Sequence, residues 1–256
     1  MNIVNMLPEK QLFMFKKLYY PILLRKTLNN EPDFKVLKYL VCPGDNCVDI
    51  ECNIGIYTKF LSELVRPSGK VFSIEPVPHT FELARSNIKK LKLTNVEAIN
   101  CAVSNINAWV NFEIPRYRDG GENFYEARIS RQHTSNSCSV RKLSIESKTL
   151  SSLFSKLPDN ISFVKCDVEG FELEVIKGAS EFIERHKPSW LIEICSDPDE
   201  QKSPAYNIFE IFKKEKYEAF WFDGEKLNKR KAGDKSINYF FLLPNHWHSV
   251  EALLNS

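Results

Sequence analysis

From about residue 46 onward, short apolar segments alternate with segments that have the periodicity of amphipathic helices. The apolar segments of this region are NCVDIEC, KVFSIEP, VEAINCAVS, ISFVKCD and SWLIEIC. Such alternation is typical of βαβ units, in which helical crossovers join parallel strands. Two aromatic-rich segments, YEAFWFDG and NYFFLLP, are joined by a loop, which predicts an antiparallel pair. We therefore predict an α/β fold with a mostly parallel sheet.

The length of 256 residues suits one large α/β domain with an extension. We place a helical extension at residues 1–40 and the domain at residues 41–256, with an insert at about 105–148. Within the insert, WVNFEIP and CSVRKLSIE alternate as half-exposed strands do. The polar segment between them either lines the substrate pocket or is a mobile surface loop.

The net charge and the cysteines indicate which partners and metal sites this chain is not expected to have. A net charge of +2 gives no basic excess to follow a phosphate backbone, so we predict no nucleic-acid partner. Seven cysteines without a CxxC pair are typical of free thiols in a cytoplasmic protein. Cys42, Cys47 and Cys52 are evenly spaced but lack a fourth ligand nearby, and we predict no metal site.

The N-terminal segment predicts an amphipathic helix with a basic face, bent at Pro21. Its apolar residues are Leu12, Phe13, Phe15, Leu18, Tyr19, Ile22 and Leu23. This helix could cover the domain or form a dimer contact, so that the chain is a monomer or a homodimer. The alternative is a peripheral contact with an anionic membrane.

The segment VDIECNIGIYT, Val48 to Thr58, has the layout of a nucleotide-binding βα turn with a single glycine, Gly55. A dinucleotide fold would need G-x-G-x-x-G, and the negative charge of Glu51 would repel a pyrophosphate. S-adenosylmethionine carries a positive sulfonium and a positive ammonium, which suit an acidic loop. Glu75, at the end of the second strand, could bind both ribose hydroxyls or be a solvated strand-end glutamate. Together the two features favour S-adenosylmethionine over a nicotinamide dinucleotide.

Five segments resemble the FkbM-type methyltransferases in order and approximate spacing, between about Leu37 and Cys195. They are VDIECNIGIYT, KVFSIEPVPHTFELARSNI, NCAVS, FVKCDVEGFELEVIKGA and PSWLIEI. The resemblance implies a Rossmann-like class I methyltransferase fold. Its mostly parallel sheet would have seven strands, with an antiparallel last strand and helices on both faces. It also implies S-adenosylmethionine as the cofactor and methylation of hydroxyl groups on sugars, glycans or polyketide-like products.

The resemblance also implies a set of cofactor contacts. Those around the methionine end of the cofactor are Asp49, Asn53, Gly55 and Thr58, with Glu75 at the ribose and Cys101 and Ala102 near the adenine. Glu51 departs from the family pattern, which usually has glycine there. If this position requires a positive φ, a glutamate costs about 1 to 3 kcal/mol. We expect its carboxylate to face the cofactor's ammonium or to turn aside.

Lys165, Asp167 and Glu169 follow one another with period two at the end of the fourth strand, where open α/β sheets bind ligands. We predict that Asp167 or Glu169 accepts the proton of the acceptor hydroxyl. The alternative is a structural turn in which one of these carboxylates caps the next helix. Glu193, a charge within an apolar strand, could face the same cleft and join Asp167 in holding a divalent ion.

The polar insert supplies further substrate candidates. His133 could act as a base and Arg131 could bind a phosphate or carboxylate of the acceptor, although both could be merely solvated. The leading hypothesis is an S-adenosylmethionine-dependent O-methyltransferase acting on a sugar, glycan or glycoconjugate. A non-catalytic protein that binds the same cofactor is the alternative, and an NAD-dependent oxidoreductase is disfavoured by the missing glycines.

Overall fold

The computed structural model describes residues 8–26, 31–115, 122, 127–129, 140–157 and 160–254. The strands are β1 (Asn46–Ile50), β2 (Lys70–Ile74), β3 (Val96–Ile99), β4 (Ala102–Val103), β5 (Ala108–Ile114), β6 (Arg128–Ile129), β7 (Arg141–Lys148), β8 (Phe163–Cys166), β9 (Ser189–Glu193), β10 (Glu218–Phe222), β11 (Leu227–Lys229) and β12 (Asn238–Leu242). The helices are α1 (Glu9–Lys26), α2 (Phe34–Leu40), α3 (Ile56–Val65), α4 (Pro78–Leu91), α5 (Leu150–Leu153), α6 (Glu172–Lys177), α7 (Ser180–His186), α8 (Pro204–Lys214) and α9 (Pro244–Val250).

The main sheet has the order β11-β10-β12-β9-β8-β1-β2-β3 in the described part of the chain. The five strands from β3 to β9 are parallel, while β12 is antiparallel to both β9 and β10. The predicted antiparallel closing pair is therefore confirmed. The chain winds outward from β1 through β2 on one side and from β8 through β9 on the other. Between β1 and β8 the sheet thus has the topological switch point at which such folds bind ligands.

Three details differ from the sequence prediction. The sheet has an eighth strand, β11, because part of the loop between the two closing strands pairs with β10. The predicted strand VEAINCAVS divides into β3 and β4. Asn100 donates hydrogen bonds to the carbonyls of Glu75 and Pro76, at 2.7 and 3.0 Å, where the chain leaves the main sheet. The predicted helix FELEVIKGASEFIERH divides into α6 and α7 at Gly178, which packs against the backbone of Ser104.

Apolar side chains fill both faces of the main sheet. Val48 and Ile50 of β1 pack with α6, α7 and α8, whereas Cys47 packs with α2, α3 and α9. This division follows the two-residue period of a strand and confirms helices on both faces. The boundary between extension and domain at residue 40 stays a prediction.

The insert forms a second sheet with the order β4-β7-β5-β6. Strands β5 and β7 pair antiparallel over seven residues, from Ala108 opposite Ser147 to Ile114 opposite Arg141, as the alternation predicts. Val77, Phe112 and Ile145 belong to its small apolar core, which continues towards the end of β2. Among the described helices, none is long and apolar enough to cross a membrane.

Candidate active site

A cavity of about 310 Å³ lies at the carboxyl ends of the central strands, at the switch point. Its wall is formed by the loop after β1, the end of β2, the turn after β8 and the end of β9. Six carboxylates line it: Glu31, Glu51, Glu75, Asp167, Glu169 and Glu193. Lys165 is the one cation among the described residues of the wall. The cavity therefore favours a positively charged ligand.

The loop after β1 contains three residues with left-handed backbone. Glu51 has φ +57°, Asn53 has φ +54° and Gly55, which precedes α3, has φ +92°. Glycine adopts this conformation without cost and asparagine tolerates it, whereas glutamate does not. The strain anticipated for Glu51 is thus present. Its side chain lines the cavity, where burial and the nearby Glu75 and Asp167 raise its pKa.

Asp49 and Thr58 lie beneath this loop and do not line the cavity. Thr58 Oγ1 donates to Asp49 Oδ2 at 2.6 Å and lies 2.7 Å from Ser73 Oγ, so one hydroxyl links α3 to β1 and β2. Burial raises the pKa of Asp49, while Lys165 on the adjacent strand opposes the rise. Within the described structure these residues support the loop from below.

Glu75 holds the loop from the side. Its Oε2 accepts a hydrogen bond from the backbone N–H of Asn53 and its Oε1 one from that of Val77, both at 3.0 Å. Burial raises the pKa of Glu75 to about 8, although the two hydrogen bonds oppose the rise. The carboxyl group lines the cavity, and its oxygens have further lone pairs for a ligand. Cys101 and Ala102 are buried in apolar clusters and do not line the cavity, and their adenine role stays a prediction.

Lys165, Asp167 and Glu169 all line the cavity, as their spacing suggests. Lys165 Nζ lies 2.9 Å from Asp167 Oδ2 and 4.8 Å from the centre of the Tyr57 ring. Burial disfavours the charge of Lys165, but Asp167 and Asp49 together raise its pKa above the usual value. This ion pair fixes the Asp167 carboxylate at the wall.

The turn after Asp167 leads into α6 without a side-chain cap on the helix. Glu169 has φ +48°, and the following Gly170 donates its N–H to Glu172 Oε1 at 2.8 Å. Glu193, at the end of β9, lines the same cavity, and burial followed by the charge of Asp167 raises its pKa. Four acidic or basic side chains from two adjacent strands therefore meet where an acceptor could bind.

Sequence reasoning did not identify four residues at the cavity rim. Asn238 Nδ2 donates to Asp33 Oδ2 at 2.7 Å, and Glu31, Tyr57 and Asn238 line the wall. Burial raises the pKa of Asp33 to about 6, opposed by its hydrogen bond from Asn238. Of the four, only Tyr57 lies within a motif that the sequence analysis used, VDIECNIGIYT, where it follows the loop after β1 as the second residue of α3. The other three come from distant parts of the chain.

The remaining predictions concern substrate contacts in the insert and a metal ion. His133 and Arg131 lie outside the described residues. Across the residues that the structure describes, no group of three or more His, Cys, Asp or Glu side chains is arranged to hold a metal ion. The roles assigned to individual site residues stay predictions.

The Methyltransferase FkbM domain family matches residues 49–219, about two thirds of the chain. The chain belongs to the FkbM methyltransferase family. The predicted family and class I fold are thereby confirmed, and the cofactor of this FkbM domain is S-adenosylmethionine. The acidic wall fits that cofactor, because its sulfonium and ammonium are both positive.

Similar proteins cover parts of this FkbM chain. Methyltransferase 1 of Beauveria bassiana is 25% identical over 148 residues, which are 53% of this chain and 59% of the relative. A protein-L-isoaspartate O-methyltransferase of Aeropyrum pernix is 38% identical over 48 residues, 19% of this chain and 18% of the relative. The chain thus spans less than two thirds of the length of both relatives.

Two solved structures are similar to the FkbM chain at low identity. Methyltransferase FkbM of Methylobacillus flagellatus KT has a TM-score of 0.49 at 15% identity, covering 90% of this chain and 57% of that one. An S-adenosylmethionine-dependent methyltransferase of Aquifex aeolicus has a TM-score of 0.46 at 16% identity, covering 86% and 96%.

Proposed function

We propose that this domain methylates a hydroxyl group of a sugar, glycan or glycoconjugate. The observation that carries the proposal is the convergence of Asp167, Glu169 and Glu193 in the cavity that Glu51 and Glu75 also line. The cofactor, when bound, supplies an electrophilic methyl group. An acceptor hydroxyl must lose its proton as its oxygen gains that methyl, so a base beside the acceptor is required.

The residues that line the cavity fall into two groups, one for the cofactor and one for the acceptor. The loop after β1 and Glu75 would bind the cofactor, with the Glu75 oxygens accepting from the ribose hydroxyls. Asp167 and Glu169 would stand beside the acceptor, and one of them takes the hydroxyl proton. Holding the reacting atoms in line is the larger contribution, since positioning can supply about 7 to 11 kcal/mol.

The surroundings of the two candidate bases differ. Asp167 is held by Lys165, whereas Glu169 lies on the exposed side of the turn. Glu193 faces both from the neighbouring strand and would orient the acceptor by hydrogen bonds. The six free cysteines of the described residues agree with a reducing, cytoplasmic location.

Turnover with a panel of glycan acceptors tests the proposal. S-adenosylhomocysteine formation is measured for the wild type, Asp167→Asn, Glu169→Gln and the exposed control Glu63→Gln. Calorimetric titration with S-adenosylmethionine shows in parallel that each variant still binds the cofactor. We expect one cavity variant to lose at least a hundredfold in kcat, the range of general-base contributions, with the control unchanged.

Two results would count against the proposal. Cofactor binding by the wild type without turnover of any hydroxyl acceptor would favour the non-catalytic alternative. Turnover that neither cavity variant reduces would remove both carboxylates from the role of base.

A further inference from the structure

The outward face of α1 carries five large apolar side chains. Met14, Phe15, Leu18, Tyr19 and Ile22 are each between 45% and 62% exposed. Their spacing places them on successive turns of one helix face, and we call this set the apolar stripe. Contiguous exposed apolar surface of this kind marks an interaction site more often than isolated apolar residues do.

Contacts on the opposite face fix the orientation of α1. Leu24 is buried, and the Phe13 ring lies 4.5 Å from the ring of His79 on α4. Lys90 Nζ, also on α4, donates to the carbonyl of Lys17 at 2.7 Å. The helix therefore packs on α4 with its other side, and the apolar stripe faces outward.

The charge of α1 indicates which partner fits the stripe. From Glu9 to Lys26 the helix contains five basic residues and one acidic residue, Glu9. Lys10, Arg25 and Lys26 are exposed at the two ends of the stripe. Apolar side chains on a helix with an excess of positive charge are the pattern of helices that lie in the interface of an anionic bilayer.

We propose that the apolar stripe of α1 docks on an anionic lipid surface. The apolar side chains would enter the boundary between headgroups and acyl chains, and the exposed basic residues would meet lipid phosphates or carboxylates. A second copy of the chain fits less well. Because basic residues outnumber acidic ones by five to one on α1, pairing of two stripes would bring two positively charged helices together.

The docking surface lies near the candidate active site. Val77 lines the cavity, Pro78 begins α4, and His79 contacts Phe13 of α1. A lipid surface on the outer side of α1 would therefore be one helix layer away from the wall of the cavity.

Co-sedimentation with vesicles tests this surface without cofactor or acceptor, so its outcome is independent of the proposed methylation. Wild-type protein is mixed with phosphatidylcholine vesicles that either contain or lack phosphatidylserine. We expect binding to the anionic vesicles alone, weakened by added salt. Leu18→Ser should lower the vesicle affinity about tenfold, since it removes one inserted side chain.

Trp109→Ser is the matched control, because Trp109 is 71% exposed on β5 and lies outside α1. Its vesicle binding should equal that of the wild type. The proposal is overturned if the wild type does not bind anionic vesicles, or if Leu18→Ser binds them with the affinity of the wild type. It is also overturned if sedimentation velocity shows a dimer that Leu18→Ser dissociates and vesicle binding is absent.

Discussion

The backbone N–H of Asn53 donates to Oε2 of Glu75 at 3.0 Å, across 22 positions of the chain. Through this bond the end of β2 holds the cofactor loop that follows β1. The same carboxyl group accepts from Val77 N–H, so it fixes two loops at once. A side chain expected to bind the ribose therefore also shapes the wall of the site.

Glu75→Ala should lower the free energy of unfolding by about 2 to 4 kcal/mol, because the buried N–H of Val77 and the half-buried N–H of Asn53 lose their acceptor. Denaturant unfolding followed by circular dichroism measures the change. Glu97→Ala on β3 is the control, since that glutamate is about half exposed and should have a small effect. Equal effects of the two substitutions would show that Glu75 does not hold the loop.

Glu75 should also make the stability of the cofactor-free protein depend on pH. Its pKa is about 8 in the folded chain, above its ordinary value of 4.5, so the folded state keeps a proton that the unfolded state releases. Its stabilising contribution is complete below about pH 4.5 and is lost as pH rises through about 8. The unfolding free energy measured from pH 5 to 8 should therefore fall more steeply in the wild type than in Glu75→Gln. Parallel pH profiles would contradict this assignment.

Glu51→Gly should raise the free energy of unfolding by about 1 kcal/mol, because glycine adopts φ +57° without the strain that glutamate carries. Glu51→Ala is the matched control: it removes the carboxylate but keeps a Cβ at the strained position. We expect a smaller gain for alanine in denaturant unfolding. Glu51→Gly should bind S-adenosylmethionine at least as tightly as the wild type, and loss of calorimetric binding would show that the carboxylate is needed.

Local patterns predicted much of the fold and part of the site. Lys165, Asp167 and Glu169 all line the cavity, as the two-residue period suggests, although β8 ends at Cys166 and Glu169 lies in the turn that follows. The family pattern usually has glycine at position 51, and the backbone there is left-handed. Such features depend on neighbouring residues, and the sequence displays them directly.

Contacts between distant segments could not be predicted in the same way. Asp33 and Asn238 are hydrogen-bonded across 205 positions, and neither lies in a motif. Their meeting depends on how the segment before α2 packs against the start of β12, which a single sequence does not specify. Cys101 and Ala102 lie in buried apolar clusters, and their place near the adenine stays a prediction.

Gly178→Ala should destabilise the fold by about 1 to 3 kcal/mol through overpacking at the junction of α6 and α7. A Cβ at this position would lie 2.2 Å from the carbonyl oxygen of Ser104 and 2.9 Å from Asn105 Cα, and neither backbone atom can move away freely. Gly224→Ala is the comparison, because a Cβ there meets nothing within 4 Å. An alanine at position 224 would have only the backbone strain of φ +101°. Thermal unfolding should show the larger loss for Gly178→Ala. Since α6 follows the turn that carries Asp167, the same substitution should also weaken turnover. An unchanged melting temperature would contradict the close contact with Ser104.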